Sequence, residues 1–167
     1  MAIMEAIATT YLEADASSVT FSSIPATYEH LQLRTTGRAA STSRSGQEIR
    51  FNGDTGSNYN WQRMQSYGSS TAAGIWTGSN YLHGPYGTGN DADSAEYAGN
   101  VVDILDYANT NKNTSMQYFS GVFGTPDIFF GGGVWDSTVA VNTILLYSAS
   151  YTFVRGTSFT LYGIKSS

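Results

Sequence analysis

The sequence has no cysteine, three prolines, two histidines and few charges, with Asp, Glu, Lys and Arg making up 13% of its 167 residues. A typical globular chain carries about 25% charged residues. Each shortage removes a class of chemistry. Without cysteine there are no disulfides, thiolate metal sites or cysteine nucleophiles. No run approaches the roughly 18 consecutive apolar residues of a membrane-spanning helix. The opening MAIMEAIATTYLEADASS lacks the basic segment and long apolar stretch of a signal peptide, so synthesis in the cytosol is the expectation. The net charge is −5 and no Lys/Arg cluster occurs, which argues against nucleic acid as a partner. A nucleophile-elbow G-x-S-x-G, a phosphate loop, a dinucleotide fingerprint and H-E-x-x-H are all missing. His30 precedes an alternating segment and His83 adjoins Gly84-Pro85, with no triad pattern around either.

What fills the chain instead is Ser, Thr, Asn, Gly and Tyr. Thr and Tyr favour pleated surfaces, while Gly and Asn favour bends. Tyrosine also gives contact area at low entropic cost, which suits broad protein–protein contact. Alternation of period two dominates. In EHLQLRT, Leu31 and Leu33 point one way and Gln32 and Arg34 the other; in QEIRFN, Ile49 and Phe51 are inward and Glu48 and Arg50 outward. TSMQYFSGVF, VNTILLYSASYTFV and SFTLYGIKSS read as further strands, and residues 74–84 as another between surface loops. AGNVVDILDYANTNK fits a short helix through Val101, Leu105 and Ala108 at i, i+4, i+7, but the branched and aromatic content of VVDILDY favours a strand with Val102 and Ile104 on one face. Turn signals fall at Ile24-Pro25, Gly37, Asn52-Gly53, Gly84-Pro85, Gly99-Asn100, Pro126-Asp127 and Gly156. The expected architecture is one all-β domain: an antiparallel, jelly-roll-like β-sandwich of about eight strands over residues 17–167, preceded by an extended arm at 1–16. The domain is expected to end close to Ser167.

The stretch RFNGDTGSNYNW carries two readings. Asp54 with the amides of Asn58 and Asn60 offers oxygens to calcium, as do Asp91 and Asp93 of NDADSAE, but neither has the carboxylate density of an EF-hand loop. The second reading is a tight turn at Asn52-Gly53 between two strands. Trp61, Trp76, Tyr81 and Tyr86 are candidates for a sugar-stacking platform, and Trp135 for packing. Charge is unevenly spread. Residues 31–63 hold five arginines against two acids, a local balance of +3, and residues 91–136 hold seven acids against one lysine, a balance of −6. That split suggests either solvated faces or contact between copies, with Arg34 and Arg38 meeting Asp103 and Asp106 of a neighbour. Tyr59, Trp61, Trp76 and Tyr81 complete the set of interface candidates.

Taken in order, FSSIPATYEHLQLR, IRFNGDTGSNYNW, VVDILDYANTNKNT, VNTILLYSAS and FTLYGIK resemble small virion proteins of tailed bacteriophages, cyanophages and other marine phages among them. The resemblance spans roughly Ser17 to Lys165, with FNGDTGSNY and DILDYANTNKNT its most specific parts. It implies a non-enzymatic part of a virus particle, without cofactor or membrane. As a capsid decoration or cement protein, the chain is expected to form a homotrimer gripping the major capsid protein. A tail fibre, baseplate or adsorption accessory is the alternative, and a carbohydrate-binding module a third.

Overall fold

The computed structural model describes residues 3–124 and 127–165. Among them there are twelve strands and no helix, arranged in two antiparallel sheets. The larger sheet has eight strands in the order β1 (Ile3–Tyr11), β12 (Ser158–Lys165), β3 (His30–Gly37), β8 (Ala98–Leu105), β9 (Thr114–Val122), β10 (Asp127–Trp135), β5 (Tyr59–Tyr67) and β6 (Ser70–Ser79). The smaller has β2 (Ser18–Phe21), β11 (Ile144–Tyr147), β4 (Ser45–Phe51) and β7 (Leu82–Gly87). The expected all-β, jelly-roll-like sandwich is present, with twelve strands in place of about eight.

The alternating segments do what period two requires. Leu31, Leu33, Ile49, Phe51, Val102 and Ile104 are fully buried between the sheets, while Arg34 and Leu105 face solvent. VVDILDY is a strand up to Leu105, and Asn109 to Asn113 form the loop after it. Residues 3–11, within the stretch expected as an arm, are extended and pair along β12 of their own domain from Ile3↔Lys165 to Tyr11↔Ser158.

Four expectations need correction. Residues 74–84 are not one strand: β6 ends at Ser79 in the large sheet and β7 begins at Leu82 in the small one. Gly84-Pro85 and Gly99-Asn100 lie inside β7 and β8 rather than in turns. Pro85 is tolerated because β7 is an edge strand with a bulge opposite Gly46–Glu48, so no ladder hydrogen bond is lost on its open side. His83 is accordingly a strand residue and not a loop residue. VNTILLYSASYTFV contributes only the four residues of β11. Pro126 of the expected Pro126-Asp127 turn lies outside the described residues, and Asp127 opens β10.

DIFFGGGVW is the strand that alternation does not reveal. Its three glycines interrupt the apolar pattern, yet β10 lies inside the sheet, paired with β9 along its whole length and with β5 from Phe129 to Trp135. Close packing explains them. A Cβ on Gly131 would stand 2.5 Å from the Tyr118 ring, and one on Gly133 would stand 2.5 Å from the Asn60 carbonyl oxygen and 2.6 Å from Leu82. Both distances are below any real carbon contact, and at Gly133 one of the partners is backbone.

Gly133→Ala should therefore destabilise the domain by about 1–3 kcal/mol through overpacking. Gly99→Ala, where a Cβ meets nothing within 4 Å, should be neutral or slightly stabilising. Urea unfolding midpoints of the two variants measure the contrast; equal midpoints would refute the packing account.

Candidate functional site

The RFNGDTGSNYNW segment is a structural crossover. Asn52 and Gly53 both have positive φ, at 52° and 71°, and the Asp54 N–H closes the turn on the Phe51 carbonyl at 2.9 Å. The turn does not close a hairpin: it carries the chain from β4 in the small sheet to β5 in the large one. The Asn52 side chain donates to the Ala140 carbonyl and accepts from the N–H groups of Asn142 and Thr143, tying the loop before β11 to the turn.

The Asp54 carboxylate accepts from the Gly56 N–H at 2.8 Å, the Asn58 amide at 2.9 Å and the Trp135 indole N–H at 2.7 Å. Burial alone pushes this carboxyl up, and the bonds from Asn58, Trp135 and Gly56 more than offset it, leaving its pKa below the usual value. Asn60 spans Asp136 and the Gly78 N–H. The oxygens proposed for calcium at Asp54 and Asn60 thus already serve the fold. Asp91 and Asp93 sit in the loop between β7 and β8. There the Arg38 guanidinium takes the backbone carbonyls of Ala92, Asp93 and Glu96 at 2.8 to 3.2 Å, so a positive charge already occupies the inside of that loop.

The interface candidates divide sharply. Tyr59 is fully buried, bonded through its hydroxyl to Phe51 and Asp54 and stacked on Trp135. Trp61 and Arg38 are buried as well. These three are interior residues: the odd positions of β5 point at β7, and Arg38 turns inward to satisfy a loop. Trp76 stacks on Trp61 at 3.9 Å between ring centroids, and half-buried Tyr81 lies 6.0 Å from Trp61. The tryptophans pack on each other at the rim of the inner face and do not form an open platform. Arg34 and Asp103 belong to one molecule's ladder, Arg34 donating to Gln32 and Gln32 to Asp103, each at 2.8 Å. Asp106 pairs with Lys112, whose hydrogen bond holds its carboxyl below the usual range. Arg44 pairs at 2.8 Å with buried Asp127. Basic and acidic segments therefore meet within the domain.

Among the described residues one group of metal-ligating types does assemble, from Glu29, His30 and Asp106. His30 Nδ1 already accepts the Asp106 N–H at 3.0 Å, which leaves the proton on Nε2, and Lys112 holds the Asp106 carboxylate. His30 and Asp106 are thus already engaged within the fold, and the Glu29 carboxylate lies 3.9 Å from His30 Nε2.

The feature that sequence reading missed is the outer face of the large sheet. Ala73, Met64, Phe130, Phe119 and Val101 stand opposite one another across β6, β5, β10, β9 and β8. The neighbouring row is Ile75, Gln62, Gly132, Gln117 and Asp103. Met64, Phe130, Phe119, Ile128 and Ile75 are half to three-quarters exposed. Because Gly132 has no side chain, a trough of about 740 Å³ opens above it, walled by Ile75, Met64, Phe130 and Val134. Gln62 and Gln117 flank Gly132 from either side. The alternation of β5 and β9 was a partial signal for this face; the strand DIFFGGGVW at its centre was not recognised.

Neither a protein-family model nor a curated protein matches the sequence. Solved structures give distant likenesses. The exo-inulinase of Aspergillus awamori aligns over 98% of this chain and 29% of its own, with a TM-score of 0.44 and 15% identity. Galectin LEC-6 of Caenorhabditis elegans aligns over 95% of this chain and 96% of its own, with a TM-score of 0.39 and 8% identity. The xylan β-1,4-xylosidase of Bacillus halodurans C-125 aligns over 82% and 27%, with a TM-score of 0.33 and 10% identity. This chain spans less than a third of either glycosidase. Likeness this distant transfers neither substrate nor activity.

Beneath the trough, on the inner face, Arg63 donates to His83 Nε2 at 3.0 Å and to the Tyr86 hydroxyl, so the imidazole proton sits on Nδ1, donated to the Gly84 carbonyl at 3.0 Å. Burial, then the neighbouring Arg63 charge, lowers the His83 pKa from 6.5 to about 4. The unfolded chain binds this proton more readily, so the contribution is complete above about pH 6.5 and is lost as pH falls toward 4. Between pH 6.5 and 5, stability should fall by about 1 kcal/mol per pH unit from this group. His83→Gln keeps an acceptor for Arg63 and should flatten that slope in urea titrations; an unchanged slope would contradict the assignment.

Proposed function

We propose that the chain is a non-enzymatic structural protein of a bacteriophage particle, a capsid decoration or cement protein that docks on neighbouring subunits through the outer face of its large sheet. The observation that carries the docking surface is the run of Met64, Phe130 and Phe119 opposite one another, with Ile75 and Ile128 beside them, all exposed on adjacent strands. Contiguous apolar surface of this kind marks contact sites on soluble domains. The scarcity of charge supports the same reading, because few groups there need desolvating on contact. The particle setting rests on the resemblance of FNGDTGSNY and DILDYANTNKNT to small virion proteins. A contact burying roughly 1,600 Å² or more is the scale at which such a clamp holds two subunits specifically.

A second reading draws on the trough itself. Gln62 and Gln117 present planar amides on either side of Gly132, with Phe130 as an apolar wall, a combination that fits a neutral saccharide. It would place the protein at a cell surface, in an adsorption role.

Rebinding to shells that lack the protein separates the two. Phe130→Lys and Met64→Lys should each weaken shell binding at least tenfold, about 1.4 kcal/mol or more, with thermal unfolding unchanged. Tyr151→Lys, exposed outside this face, should bind as the wild type does. Full binding by a folded Phe130→Lys would sink the docking surface. Saccharide binding lost on Gln62→Ala and Gln117→Ala, without shell binding, would favour the second reading.

A further inference from the structure

The two sheets have four edges, and three of them carry devices that block pairing with another chain. β2 has only four residues. β7 contains Pro85 and a bulge in its pairing with β4. β1 has a bulge between Ala6 and Ala8, and Glu5 on it is held by Tyr28 and Lys165. Short strands, proline, bulges and charge are the usual protections of a sheet edge. β6 is different. It runs ten residues, STAAGIWTGS, with no charge and no proline, and its irregularity is confined to the far end, where Trp61 faces Trp76 while Tyr59 faces Ser79. From Ser70 to Trp76 the strand is regular, and its outward edge has no partner strand among the described residues. Ile75 on one face is 74% exposed and Trp76 on the other 38%.

We infer that β6 pairs with β6 of a second copy of this chain, antiparallel about a two-fold axis at Gly74, joining the two large sheets into one of sixteen strands. The sequence is self-complementary in that register. A two-fold axis perpendicular to the sheet keeps each face on its own side, so residues whose numbers add to the same even value meet. About Gly74, Ile75 meets Ala73 of the partner on the outer face, and Trp76 meets Ala72 on the inner face. Each large side chain thus opposes a small one, which leaves room for cross-strand contact on both sides. No charge opposes a like charge, because β6 has none. Within each copy Trp76 is already fixed by its stack on Trp61 at 3.9 Å, so it loses little freedom on pairing. The outcome is a dimer, in place of the homotrimer that the resemblance implies. The pairing is made along the edge of the sheet and takes only Ile75 from the residues of the docking face, so Met64, Phe119 and Phe130 stay open in the dimer.

Light scattering on the full chain over a range of concentrations tests it. The expected mass is twice the 18.0 kDa of the monomer. Ala72→Lys with Ala73→Lys, at positions exposed in the single copy, should shift the protein to a folded monomer that still unfolds cooperatively, at a melting temperature no longer dependent on protein concentration. The chain has no native cysteine, so Ala73→Cys with Ile75→Cys reports the register: oxidation should give a covalent dimer whose peptides are joined from 73 to 75. A monomer at every concentration, a trimer, an open polymer, or a dimer untouched by the lysines would each overturn the proposal. A peptide from another protein that occupies β6 while the chain alone stays monomeric would overturn it in favour of that partner.

Discussion

Three consecutive glycines in the middle of β10 set the geometry on both sides of the large sheet. On the inner face, Gly131 leaves space for the Tyr118 ring, and Gly133 leaves space for Leu82 of β7 against Trp61. Any side chain at Gly133 would force the two layers apart locally. On the outer face, Gly132 leaves the trough between Gln62 and Gln117. Glycine in a strand costs about 0.5–1 kcal/mol each against alanine, so three in a row in a central strand need compensation. The stacked Tyr86 and Phe129 rings, 3.6 Å apart between centroids, and the Trp135 contacts with Phe51 and Tyr59 supply it from either end of the run.

A second consequence is the imbalance between the layers. Four strands cover one face of an eight-strand sheet, so the ends of the large sheet project past the small one. β1 and β6 are exposed along both faces. Among the described residues no layer covers the outer face, yet around β5, β9 and β10 it exposes Met64, Phe119, Ile128 and Phe130 beside Gln62 and Gln117. The inner face is sealed by polar as well as apolar contacts: the Arg44–Asp127 pair, the Arg63–His83–Tyr86 set and the Asp54–Trp135 bond all lie where strands of the two sheets or their connections meet. Of the charged residues that look like opposed patches in sequence, Arg38, Arg44, Arg63, Asp54 and Asp127 are spent on internal tasks.

The fold class was legible because burial on one face writes a period of two, and β3, β4, β8 and β9 keep that period cleanly. β10 was not legible because glycines carry no hydrophobic signal, and β7 was hidden by Gly84-Pro85, a turn pair that an edge strand accepts. Tyr59 and Trp61 misled for a related reason. Aromatic residues beside a turn read equally well as surface or core, and only the crossover from β4 to β5 decides that they face inward. Asp54 was rightly placed in a turn, but its bond to Trp135, 81 residues away, leaves no local trace. The trough needs Gln62, Gln117 and Gly132 on three strands, a juxtaposition that depends on strand order and not on spacing.

The central claim is that the outer face of the large sheet is covered in the assembled state. Hydroxyl-radical footprinting, comparing the free chain with the particle that contains it, tests this on side chains directly. Met64, Phe119 and Phe130 should be modified readily in the free chain and strongly protected in the particle, while Tyr151 changes little. Equal modification of Met64 and Phe130 in both states would contradict the claim.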